Sequence, residues 1–169
     1  MLIYHPAFDA YHCVHRMLVA TNTLSELELA KLRILDYYLS FPAEVAHIQL
    51  PREYMRIKKV ASSIKNEYRG PVNGRMAFRD MELIQNSAAR LLAASEVFDP
   101  KRLESGIVLR TSKNLPDTLS ELKSNSPGSN EAHTEVLNFI LDKLGKMQLT
   151  GPGGIKQRTG LMEHRYDVI

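Results

Sequence analysis

The chain has a single cysteine, Cys13, and no tryptophan in its 169 residues. One thiol excludes an internal disulfide and any Cys-x-x-Cys zinc or redox motif; the missing tryptophan carries no functional information. No stretch approaches the ~18 consecutive apolar residues of a membrane span. The start, Met1-Leu-Ile-Tyr-His-Pro6, has neither a basic leader nor an apolar core region. The expectation is therefore a cytoplasmic protein with no membrane partner. There is no Gly-x-x-x-x-Gly-Lys-Ser/Thr phosphate loop, no Gly-x-Ser-x-Gly nucleophile elbow and no His-Glu-x-x-His zinc motif. Nucleotide hydrolysis by this chain alone is thus not expected, and the acidic residues are too scattered to define a catalytic pair. Internal repeats and long low-complexity tracts are also missing.

What is present is enough apolar material for one core. With 44% hydrophobic residues, a chain of this length buries roughly two-thirds of its unfolded surface. Charge is uneven along it. The net value is +3, yet residues 52–79 hold eight basic groups (Arg52, Arg56, Lys58, Lys59, Lys65, Arg69, Arg75, Arg79) against Glu53 and Glu67, a local excess of six. Residues 1–51 carry three basic and five acidic groups. Concentrated positive charge suits an anionic or acidic partner, although such a run also serves as a plain solvated face.

The pattern reads as mainly α with a few short strands. Pro6 suits the first position of a helix running to about Ala20. Thr23-Leu-Ser-Glu26 has the form of a capping box opening a second helix, with Leu27, Ala30, Ile34, Tyr38 and Phe41 as its stripe and Pro42 as its stop. A short helix at 43–48 precedes a basic one over 52–68, whose apolar stripe is Tyr54, Ile57, Val60, Ala61 and Ile64. After the breaker Gly70-Pro-Val-Asn-Gly74, a long helix is expected over 75–95, and Asp99-Pro100 opens a brief turn.

Gly106-Ile-Val-Leu-Arg-Thr111 is the clearest strand, with the tail as a candidate pairing partner. Further helices are expected at Leu115–Leu122 and Asn130–Leu144, separated by the linker-like Lys123-Ser-Asn-Ser-Pro-Gly-Ser129. The tail from Ile155 is open to an extended ribbon or arm. The helices 24–41, 43–48 and 52–68 follow one another tightly, which suits a helix-turn-helix or winged-helix-like core in residues 1–112, with 113–169 as a helical extension.

Few residues invite chemistry. His5, His12, Cys13 and His15 are all zinc-ligand types, but on a helix Cys13 points about 100° away from His12, so capping and core-edge roles fit better. Gly151-Pro-Gly-Gly154 lacks the strand before and helix after that make an amide cradle, and reads as a turn. No metal or cofactor is expected. The candidate binding residues are Arg52, Arg56, Lys58, Lys59, Lys65 and Arg69. Arg52, Arg56 and Lys59 share one helix face, opposite Tyr54, Ile57, Ala61 and Ile64, and can meet phosphate without reading bases or dock on an acidic protein surface.

Tyr4-His-Pro-Ala-Phe-Asp9, Tyr11-His-Cys13, Leu32-Arg-Ile-Leu-Asp-Tyr-Tyr38 and Phe41-Pro42, with later blocks Met81-Glu-Leu-Ile-Gln85 and Arg110-Thr111, form a recognisable set. Through them the chain resembles the middle component of bacterial three-component ABC-ATPase conflict systems, the group that includes Lamassu-type anti-phage defence, over roughly residues 3–111. The resemblance implies a small non-enzymatic adaptor with a winged-helix-like core. It would sit in a hetero-oligomer between an SMC-like ABC ATPase and a nuclease-type effector, with non-specific DNA contact left open. It brings no catalytic residues. The alternatives are a free-standing DNA-binding regulator, which predicts a homodimer and paired half-sites, and an enzyme built on His12, Cys13 and His15.

Overall fold

A computed structural model of the chain describes residues 5–114 and 130–163. Pro6 opens a 3-10 turn over Pro6–Phe8, capped by His5, whose Nδ1 accepts from the Ala7 amide at 3.1 Å. Helix α1, Ala10–Thr23, follows, with the Asp9 carboxylate accepting from the His12 amide at 2.9 Å. That bond satisfies one of the donors a helix start leaves open.

The expected capping box does not form, because Thr23 is the last residue of α1 and Glu26 opens a strand. Strand β1, Glu26–Glu28, pairs antiparallel with β2, Ile107–Leu109, in the register Glu26↔Leu109, Leu27↔Val108 and Glu28↔Ile107. Leu27 and Val108 are buried, so the two-stranded sheet presents its central pair to the core. The Glu26 carboxylate pairs with Arg102 rather than reaching back to a helix start. Pairing with a segment some eighty residues away has overridden a local signal. Among the described residues the partner of the 106–111 strand is thus β1, with a single further bridge from Phe98 to Arg110, and not the tail.

Helix α2, Leu29–Ser40, starts later than expected and stops at Phe41-Pro42 as the sequence indicates. A 3-10 segment over Pro42–His47 and another over Arg52–Tyr54 lead into α3, Met55–Ser63. The basic helix expected to reach residue 68 ends at Ser63. Beyond it Asn66 makes a turn of its own, its side-chain oxygen accepting from the Tyr68 amide at 2.9 Å and its carbonyl from the Arg69 and Gly70 amides at 3.1 and 3.2 Å. Asparagine offers the backbone this alternative to a helix.

The single helix expected over 75–95 is two, α4 (Gly74–Asp80) and α5 (Glu82–Ala94). Met81 between them keeps right-handed helical angles, φ −73° and ψ −16°. Asp99 caps α6, Pro100–Glu104, as its sequence suggests. Asn130 caps α7, Glu131–Asp142, and α8 covers Ile155–Thr159, where a ribbon was one expectation. The helix expected at 115–122 and the linker 123–129 lie outside the described residues.

The protein is thus mainly helical, with one two-stranded sheet among the described residues. α1 packs on α5 and α2, while α3 packs on the 42–47 segment and α7. Met17, Leu35, Ile48, Leu92, Ile140 and Ile155 are fully buried in one apolar cluster that runs from α1 to α8. Burying a side chain of this size contributes about 1.5–3 kcal/mol. No helix among the described residues is long and apolar enough to cross a membrane.

Candidate functional site

The apolar stripe of the basic segment does face inward. Ile57 and Ala61 are buried, and the Tyr54 ring meets Phe139 of α7 edge-on at 5.2 Å. Arg52, Arg56 and Lys59 are exposed, Lys58 is half-buried, and Lys65 and Arg69 project from the turn after α3. One of the six is engaged within the fold. Arg56 makes a two-pronged pair with Glu135 of α7, Nη1 to Oε1 at 2.5 Å and Nη2 to Oε2 at 3.3 Å. That leaves Arg52, Lys59, Lys65 and Arg69 as exposed cations with no carboxylate partner among the described residues.

The turn that carries Arg69 is tied to the start of the chain. His5 Nε2 lies 3.1 Å from the Arg69 carbonyl, and since its Nδ1 accepts from Ala7, Nε2–H is the donor. The His5 ring stacks on Phe41 at 5.0 Å. The basic turn is therefore positioned by His5 and, through the ring stacked on it, by Phe41 at the end of α2. Such a row of solvated cations can hold phosphate or carboxylate groups, by charge and without base readout.

The His5, His12, Cys13 and His15 group does not converge on one point. Among the described residues no group of three or more His, Cys, Asp or Glu side chains is arranged to hold a metal ion. Cys13 is fully buried and its thiol donates weakly to Asp36 Oδ2 at 3.7 Å. Burial raises the thiol pKa well above its ordinary value, the Asp36 charge raises it further, and Arg16 opposes them. Reactivity follows the exposed thiolate. In the native protein Cys13 is expected to react with a disulfide reagent only as fast as the chain unfolds, and at once in denaturant. Rapid full labelling without denaturant would show that the site is open.

The sequence reading missed a buried polar cluster assembled from the blocks that carry the family resemblance. Asp36, wholly buried on α2, accepts from Arg16 Nε at 2.7 Å and from Gln85 Nε2 at 2.9 Å. Gln85, also buried, donates to the Arg33 carbonyl at 3.1 Å and accepts from Arg33 Nε at 3.0 Å. Arg16 Nη1 reaches the Pro6 carbonyl at 3.0 Å. Arg33 lies over the Phe78 ring at 5.1 Å and pairs with Glu82 at 3.4 Å; desolvation lowers its pKa while Glu82 pushes it back up. His-Pro, Tyr-His-Cys, Leu-Asp-Tyr-Tyr and Met-Glu-Leu-Ile-Gln thus meet in space as a structural junction of α1, α2 and α5. The signal was legible: a carboxylate in the apolar run Leu32–Tyr38 and an amide on the inner face of α5.

Tyr37, the next residue, explains one glycine. Its hydroxyl donates to Glu44 Oε2 at 3.4 Å and stands 2.6 Å from where a Cβ on Gly74 would lie. Burial, reinforced by Glu44, raises the phenol pKa.

Comparison with known proteins gives three results. The chain is similar to Serendipity locus protein alpha of Drosophila pseudoobscura pseudoobscura, 24% identical over an aligned length of 154 residues, with 78% of this chain covered. It spans only 28% of that protein's length. No solved structure matches it. A family match covers residues 2–167, well past residue 111, and takes in the buried junction, the basic segment and the C-terminal helices alike. On that match the chain belongs to the family described as ABC-three component (ABC-3C) system Middle Component 5.

Proposed function

We propose that this middle component is a non-catalytic adaptor that bridges an SMC-like ABC ATPase and a nuclease-type effector in a Lamassu-type anti-phage defence complex, and that its basic segment meets DNA phosphate. A component of a three-component system has partner subunits by membership. The observation that carries the surface assignment is the row of exposed cations, Arg52, Lys59, Lys65 and Arg69, held on the 3-10 segment before α3, on α3 itself and on the turn that follows it. In this reading α2, the 42–47 segment and α3 act as a helix-turn-helix-like face, with α3 toward the nucleic acid. Work in the cytoplasm follows from the same reading.

The test uses the triple variant Arg52→Glu, Lys59→Glu, Lys65→Glu, which leaves the Arg56–Glu135 pair intact. Co-expressed with the products of adjacent genes, wild type is expected to co-purify with an ATPase and an effector. The variant complex should assemble normally, bind DNA more weakly at low salt, and show a log–log salt slope reduced by about 2–3, since each lost phosphate contact releases about one counterion fewer. A variant that drops out before DNA is added would place this face on an acidic protein surface instead. Normal assembly with an unchanged salt slope would reduce the segment to a solvated face. A wild-type chain that enters no hetero-complex and forms a homodimer on paired half-sites would replace the adaptor with a free-standing regulator.

A further inference from the structure

The α4–α5 rod has an outward face that none of the described residues covers. Its inner face, Gln85, Ala88, Ala89, Leu92 and Ala93, is buried. The opposite side shows Leu83 at 76% exposure, Leu91 at 57% and, one turn into α4, Met76 at 52%. Ser87 and Ala94 lie exposed on the same side as the two leucines. Ser87, Arg90, Leu91 and Ala94 have the i, i+3, i+4, i+7 spacing that forms the four-residue hole receiving a knob from a neighbouring helix. Single exposed leucines are ordinary, but this is a continuous stripe with small residues between large ones.

Charge says what kind of helix would fit. Arg79 and Arg90 are exposed along the stripe and have no carboxylate partner among the described residues. Of the nearby acids, Glu82 is engaged by Arg33, leaving Asp80 as the one exposed carboxylate of α4 and α5 outside such a pair. A second copy of this chain would offer the same cationic face, whereas an acidic-flanked helix would neutralise it.

We infer that the exposed α4–α5 face is a docking surface for an amphipathic helix of a partner subunit, one with large apolar residues at three- and four-residue spacing and Asp or Glu along its flank. The partner's knobs enter beside Ser87 and Ala94, Leu83 and Leu91 cover them, and Arg79 and Arg90 meet the flanking carboxylates. This rests on the adaptor reading for the existence of a partner. The surface is distinct from the basic segment on α3, so the two can be lost separately.

The test is co-purification of the full chain with its co-expressed partner subunits, comparing wild type, Leu83→Asp/Leu91→Asp and Arg79→Glu/Arg90→Glu. Both positions of each pair are solvent-facing, so thermal unfolding of the isolated variants should match wild type. The expected result is at least a tenfold loss of one partner for each variant, the charge variant mainly through slower association that depends on salt. Retention of every partner by both folded variants would overturn the inference while leaving the adaptor reading standing. A wild-type chain that captures no partner would overturn the adaptor reading itself. An isolated wild-type dimer abolished by Leu83→Asp/Leu91→Asp would assign the face to a second copy. A clear fall in melting temperature of the isolated leucine variant would show that the stripe is covered within the fold. Either of the last two results would overturn the proposed occupant.

Discussion

Replacing Asp36 by alanine is expected to destabilise the folded chain by about 3–5 kcal/mol, the cost of removing one partner from a buried ion pair. Asp36 is wholly buried and Arg16 retains only 11% side-chain exposure, so the Arg16 charge would stay behind with little water to replace the carboxylate. Its Nη2 is already buried without a hydrogen-bond partner among the described residues. The same change strips Gln85 Nε2 and the Cys13 thiol of the acceptor they share. In a domain of this size about 1 kcal/mol corresponds to roughly 2–4 °C, so thermal unfolding should move down by at least about 6 °C. Asp36→Asn should cost less, since one acceptor oxygen survives. The double change Arg16→Met/Asp36→Leu should recover part of the loss but not all, because Gln85 would still face an apolar wall. A melting temperature within about 2 °C of wild type for Asp36→Ala would show that the cluster contributes nothing to the fold.

Gly154→Ala is the second large effect. The glycine has an ordinary φ of −68°, so strain in the dihedral is not the issue. Space is. A Cβ there would lie 2.5 Å from the Thr150 oxygen, 2.7 Å from its carbonyl carbon and 3.0 Å from the Leu149 oxygen, all backbone atoms that cannot swing aside. Overpacking costs about 1–3 kcal/mol, and a rigid backbone neighbour puts this case at the upper end. Gly151 is the control. Its φ of +84° strains any side chain, but nothing lies within 4 Å of its would-be Cβ, so Gly151→Ala should cost only the dihedral strain, about 1–2 kcal/mol. Equal melting temperatures for the two variants would show that the turn relaxes around the added methyl.

Glycine-rich 151–154 also illustrates what a sequence does and does not disclose. Its reading as a turn rests on the lack of a strand before it and a helix after it, yet a helix does follow, α8 starting at Ile155 with Gly154 as its N-cap. The structure adds that the Gly154 amide donates to the Gly151 carbonyl at 3.0 Å, the Gly153 amide to Gln157 Oε1 at 2.7 Å and the Ile155 amide to the Gln148 carbonyl at 2.8 Å. Signals decided by nearest neighbours, such as the Asp99 cap, the Pro42 stop and the inward stripe of α3, were legible. The capping box at Thr23 was not, because a strand partner eighty residues away determines what Glu26 does. Met81 was read within one helix because its backbone angles are still helical and its amide and carbonyl still make helical bonds, to the Ala77 carbonyl at 3.0 Å and from the Gln85 amide at 2.9 Å. For the candidate site, the sequence showed where the cations lie. It could not show that Arg56 is held by Glu135, since that pair is made between α3 and α7 at a separation of 79 residues.

Separation along the chain has a consequence for how the protein is made. β1 closes its ladder on β2 only when residue 109 is available, and the same core takes in Ile140 from α7 and Ile155 from α8. Gln49 receives its bonds from the far end too, its amide donating to the Arg158 carbonyl at 3.0 Å and its carbonyl accepting from Arg158 Nη1 at 2.7 Å. Long-range closure must be met before such contacts repay it, which slows folding relative to a bundle of local helices. On the ribosome, the segment from α1 to α5 therefore emerges with much of its apolar surface still waiting for chain that has yet to be synthesised. That interval is when the nascent protein is most open to chaperones, to proteases and to premature association with neighbouring subunits.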